Sequence, residues 1–91
     1  MQRERIGVAE ALDTLAAVAA ARADSERAAR LDGASERIHE TIASRPAPFE
    51  RAISGRFIKA SQAAAGANRW QSAWEAGHEL SVEEAIDFAL S

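Results

Sequence analysis

Apolar residues along this chain recur in helical registers, with capping and turn residues between them. From about Arg3 to Ala23, Val8, Leu12, Leu15 and Ala19 stand at i, i+4, i+7 and i+11, with Ala9, Ala16 and Ala20 beside them. That spacing gathers them on one face of a first helix. Asp24-Ser25-Glu26 then ends one helix and starts the next: Asp24 or Ser25 can cap, and Glu26 is acidic in the first turn. The second helix is expected to run to about Ala43 on a stripe of Ala28, Leu31, Ser35, Ile38 and Ile42. Gly33 lies inside it, and a helical glycine usually marks the close approach of another backbone.

Residues 44–48, Ser-Arg-Pro-Ala-Pro, form the clearest break, because residues before proline avoid the α region and proline suits a first helical turn. A third helix is expected over Pro48–Ala65, with Phe49, Ile53, Phe57, Ala60 and Ala64 as its buried stripe and Gly66 as the residue that ends it. Asn68-x-x-Gln71 resembles a capping box for a short fourth helix carrying Trp70, Ala73 and Trp74, which Gly77 should weaken or end. Ser81-x-x-Glu84 is a stronger capping box, with Leu80 and Ala85 placed as a hydrophobic staple. The fifth helix then shows Val82, Ala85, Ile86, Ala89 and Leu90 on one side. No strand or hairpin pattern occurs, so the expected fold is all-α: about five antiparallel helices in one module, a helix pair over 1–43 and three further helices over 48–91.

Composition changes this picture in one respect. The 91 residues suffice for one domain, but 23 are alanine and only five are aromatic. Alanine favours helix yet brings little area to a core. Closely spaced helices held by a few large side chains are expected, with part of the apolar surface left for a neighbour to cover. With no cysteine there is no disulfide framework, and no apolar run has the length of a membrane span, so a cytoplasmic location is expected. The net charge of −3 argues against direct nucleic-acid contact, which needs a basic face.

The first helix pair resembles a tetratricopeptide repeat. Leu12, Leu15, Ala16 and Ala19 fall at packing positions, and residues 23–28, Ala-Asp-Ser-Glu-Arg-Ala, resemble the repeat's Gly-Asp elbow with Ala28 as the small contact residue. Ala23 replaces the usual glycine, and Asp32 stands where a large apolar residue is expected. A broader resemblance covers nearly the whole chain. Residues 28–36 (AARLDGASE) and 73–85 (AWEAGHELSVEEA) are similar to the C-terminal helical region of large actinobacterial LuxR-type and AfsR-type transcriptional regulators, which carry a STAND-type ATPase core and tetratricopeptide-like repeats. The resemblance implies a fragment of a longer chain that works as a sensing or coupling arm. Its partners would be the regulator's own ATPase domains, further repeats or a second copy of the chain, and homo-oligomers are expected. The chain has no P-loop pattern and no helix-turn-helix, so neither ATP nor DNA binding is assigned to these residues.

Candidate chemistry is sparse. Glu36-x-x-His39 and Glu75-x-x-His78, with Glu10 and Glu50 on two other helices, match the ligand set of a ferritin-like di-iron bundle. The plainer reading is that these are solvated carboxylate–histidine pairs, with Glu50 serving the dipole of its own helix. Trp70 and Trp74, at i and i+4, are expected to pack between helices, and the candidate contact surfaces are the face around them and the exposed edge of the first helix pair. Asp32 is expected at the edge of the second stripe, paired with an arginine. Asp24, Ala28, Gly33, Gly66, Ser81 and Glu84 are expected to be structural. No cofactor and no catalytic residue is assigned, which leaves contact as the expected mode of action, with a metal-binding bundle and a structural filler as alternatives.

Overall fold

A computed structural model describes residues 2–42 and 48–91, with side chains over 4–42 and 55–91. Among the described residues there are five helices and no strand: α1 (Gln2–Ala21), α2 (Ser25–Ile42), α3 (Pro48–Ala65), α4 (Ala67–His78) and α5 (Val82–Leu90). None of them is long and apolar enough to cross a membrane. Most of the proline-containing break falls on residues 43–47, outside the described residues.

Each junction has a local cause. At the end of α1 the Asp24 N–H donates to the Ala19 carbonyl (2.9 Å) and the Ala23 N–H to that of Ala20 (3.0 Å), the two bonds of a Schellman turn. Ala23 holds the left-handed position of that turn at φ 64°, where the repeat pattern has glycine. Asp24 Oδ1 then accepts from the Arg27 N–H and caps α2. Gly66, at φ 89°, serves two helices: its N–H donates to Gln62 O at the end of α3, and its carbonyl accepts the Trp70 N–H at the start of α4. The capping box expected at Asn68 does not form, because α4 begins at Ala67 with Gly66 as its cap, and Gln71 turns instead to Glu75 Oε1 (3.0 Å). The box at Ser81 and Glu84 forms in both directions.

Helix α2 is the centre of the fold, packed on α1 along one side and α4 along the other. The α2–α4 contact depends on two glycines. A Cβ on Gly33 would lie 2.1 Å from the Trp74 carbonyl oxygen, and one on Gly77 would lie 1.9 Å from that of Arg30. The backbones therefore touch where no side chain intervenes, as expected for Gly33. Gly77 was expected to weaken or end the fourth helix, but α4 runs through it to His78 because the glycine is buried in this contact. Hydrogen bonds from Ser25 and Ser61 tie the start of α2 to the later part of α3.

The core combines few large residues (Leu12, Leu31, Ile38, Trp70) with many alanines, Ala9, Ala16, Ala28, Ala29, Ala34, Ala73 and Ala85 among them. Three stripes face differently from expectation. Leu15, expected in the core, is 38% exposed, and Val18 nearby is 44% exposed. On α3, Phe57, Ala60 and Ala64 face out while Ile58, Ser61 and Ala65 face the core; the side chains of Phe49 and Ile53 lie outside the described residues. On α5, Ile86 and Leu90 point outward and Phe88 packs inward beside Val82, Ala85 and Ala89. The cause is common to all three: these helices carry apolar residues on more than one side, so spacing alone cannot select the buried face.

Candidate functional site

Polar side chains gather on both flanks of α2. Toward α1, Ser35 and His39, one turn apart, meet Asp13. The Ser35 hydroxyl is placed against both the Ala9 carbonyl (3.2 Å) and Asp13 Oδ1, and the His39 Nε2 lies 2.9 Å from Asp13 Oδ2. Serine, histidine and aspartate are the residue types of a hydrolase triad, but their order here is wrong for one. A triad needs the imidazole between hydroxyl and carboxylate, so that it can take the hydroxyl proton. In this chain the carboxylate stands between the other two. Ser35 and His39 are also only 1% and 3% exposed, which leaves no path for a substrate. The three groups satisfy one another's hydrogen bonding inside an apolar seam and clasp α1 to α2.

Toward α4, the Trp74 indole N–H donates to Asp32 Oδ2 (3.2 Å), the His78 ring stacks on Trp74 with centroids 4.9 Å apart, and His78 Nε2 meets Glu40 Oε1 at 2.9 Å. Arg37 Nη1 donates to the His78 carbonyl at 3.0 Å and so closes the end of α4. Burial pushes the Asp32 carboxyl up to about 6; the neighbouring Asp13 and Glu36 add to the rise, and the Trp74 N–H and His39 oppose it. Asp32 was expected to pair with an arginine, but its partner is an indole, which supplies a hydrogen bond and no charge. Near the other end of α2, Arg27 Nη2 donates to the carbonyls of Ala89 (2.8 Å) and Phe88 (3.4 Å), while the guanidinium groups of Arg27 and Arg30 lie about 5 Å from the centre of the Phe88 ring. α5 has no basic residue in its own last turn, so α2 supplies the cation that its carbonyl end favours.

Among the described residues, the members of the alternative di-iron set are not brought together. His39 turns to Asp13, His78 to Glu40, and Glu75 accepts from Gln71, while Glu10 is exposed on α1 and the side chain of Glu50 lies outside the described residues. Among the described residues, no group of three or more His, Asp or Glu side chains is placed to hold a metal ion. Trp70 is buried in the core and Trp74 is half-buried with its N–H engaged, so both work in packing, and the outward apolar residues are others. The sequence reading missed Asp13 and the clasp around it. Its signal was present: Ser35 interrupts an apolar stripe, and His39 follows it by one turn. An open cleft of about 790 Å³ lies between the first turns of α2 and α4, walled by Ser25, Glu26, Arg30, Asn68, Arg69 and Trp70. Two acids (Asp24, Glu26) and two bases (Arg30, Arg69) line it, so it favours no ligand charge.

No family model, curated protein or solved structure matches this chain.

Proposed function

We propose that the chain is a non-catalytic contact module of a bacterial transcriptional regulator, coupling that protein's signalling state to its output by packing against another helical surface. One observation carries the contact reading: large apolar side chains stand on the solvent side of several helices while the core is filled largely with alanine. Leu15 and Val18 on α1, Phe57 on α3, and Ile86 and Leu90 on α5 are all exposed. Leu15 and Val18 share one face of α1, and Ile86 and Leu90 one face of α5; apolar side chains that adjoin on a surface mark interaction sites. The regulator half of the proposal rests on the resemblance of residues 28–36 and 73–85 to the helical arm of LuxR-type and AfsR-type proteins.

A transcriptional reporter tests both halves. Substituting Leu15, Val18 and Phe57 with serine in the chromosomal copy should abolish the regulated response while leaving the protein folded and at normal abundance. A normal response in that strain would mean that the segment is a structural filler, and would overturn the proposal.

A further inference from the structure

We propose that α1 is a self-complementary dimerisation helix that pairs antiparallel with α1 of a second copy of the chain. The inference rests on the contact reading above and names the partner of one of its faces.

At about 100° per residue, Glu4, Gly7, Ala11, Leu15 and Val18 on α1, with Arg22 just past its end and still bonded through its N–H to the Val18 carbonyl, fall within an arc of about 80°. All six are exposed, and their arc lies about 120° round the helix from the core face that carries Ala9, Leu12, Ala16 and Ala19. Among the described residues nothing approaches this arc at Gly7, where an added Cβ would meet no atom within 4 Å. The stripe is ordered along its length. An acid stands at its N-terminal end and a base at its C-terminal end, with two small residues and then two large ones between them.

That order fits one arrangement. In an antiparallel pair centred near residue 13, Glu4 faces Arg22 of the other copy, Gly7 faces Val18 and Ala11 faces Leu15, each contact occurring twice, as a two-fold interface requires. Each large side chain meets a small one, and each charge meets its opposite. A parallel pair would set Glu4 against Glu4, Arg22 against Arg22 and large against large, leaving gaps at the small positions.

Charge reversal with sedimentation equilibrium tests the pairing. The 91-residue chain should sediment as a dimer. Glu4→Arg alone and Arg22→Glu alone should each weaken association by about tenfold or more, since each sets like charges together at both ends. The double variant Glu4→Arg/Arg22→Glu should restore it. Circular dichroism of each variant confirms that the helices are intact, as the exposure of both positions leads one to expect. Because the chain has no cysteine, single cysteines report geometry independently: mixed Ala11→Cys and Leu15→Cys chains should cross-link to each other in preference to themselves. A monomeric wild-type chain, a double variant as weak as the singles, or dominant like-with-like cross-links would overturn the proposal. A monomeric chain whose Leu15, Val18 and Phe57 substitutions still abolish the reporter response would overturn the pairing alone and leave the contact reading standing.

Discussion

Two residues occupy positions that their chemistry resists, and each gives a measurable consequence. Ala23 sits at φ 64° in the Schellman turn, a conformation that costs a residue with a Cβ about 1 kcal/mol relative to glycine. Ala23→Gly relieves that strain, and after its greater unfolded-state freedom offsets part of the gain it should stabilise the fold by about 0.5 kcal/mol in urea unfolding. Asp32 presents a titration. Its carboxyl is raised from 3.8 to about 6 by burial, so the folded state holds the proton more tightly than the unfolded state does. The resulting stabilisation is complete below about pH 4 and is lost as the pH rises through about 6. Asp32→Asn keeps an acceptor for the Trp74 N–H and removes the charge. It should be more stable than the parent by about 1–3 kcal/mol at pH 7.5, and the gap should close as the pH falls toward 4. A constant gap across that range would show that the carboxylate is not penalised by its site. The glycine preference at position 23 was legible from the repeat pattern. The protonation behaviour of Asp32 was not, because it depends on α4 covering the residue and bringing an indole rather than an arginine.

At the scale of elements, the helices were legible and their facing was not. Caps and punctuation marked all five, because Asp24, Gly66 and Ser81 act locally within a few residues of chain. Facing depends on what each helix meets, and in α1 alanine and larger apolar residues occur all round, so Leu15 and Leu12 look equivalent until α2 and α3 are in place. Glycine positions carry the sharpest test of how the elements meet. Gly33→Ala or Gly77→Ala would drive a methyl group into a backbone carbonyl and should destabilise by about 3 kcal/mol. Gly55→Ala on α3 meets open space and should stabilise by about 0.5–1 kcal/mol through helix propensity. Thermal unfolding of the three variants compares them directly. Equal effects at all three positions would mean that α2 and α4 do not touch through Gly33 and Gly77.

For the molecule as a whole, the design is a thin alanine-rich core with polar clasps on both flanks of α2 and apolar side chains left outside. The candidate site was only partly legible. Contact rather than catalysis was the expectation from a chain with no recognisable catalytic motif. The surface was placed at the exposed edge of the first helix pair and at Trp70 and Trp74, the latter because large aromatics are the usual anchors of an interface. In a core this poor in large residues, packing claims them first, and among the described residues the outward positions go to Ile6, Leu15, Val18, Phe57, Ile86 and Leu90. What separates a contact surface from a misjudged core is the effect of polar substitution on folding itself. The decisive measurement is urea unfolding of Leu15→Ser, Val18→Ser and Phe57→Ser at protein concentrations low enough to keep the chain monomeric. Side chains held for a partner should change the unfolding free energy by no more than about 0.5 kcal/mol each. Losses of about 2 kcal/mol or more would place these residues in the protein's own core and contradict the contact reading.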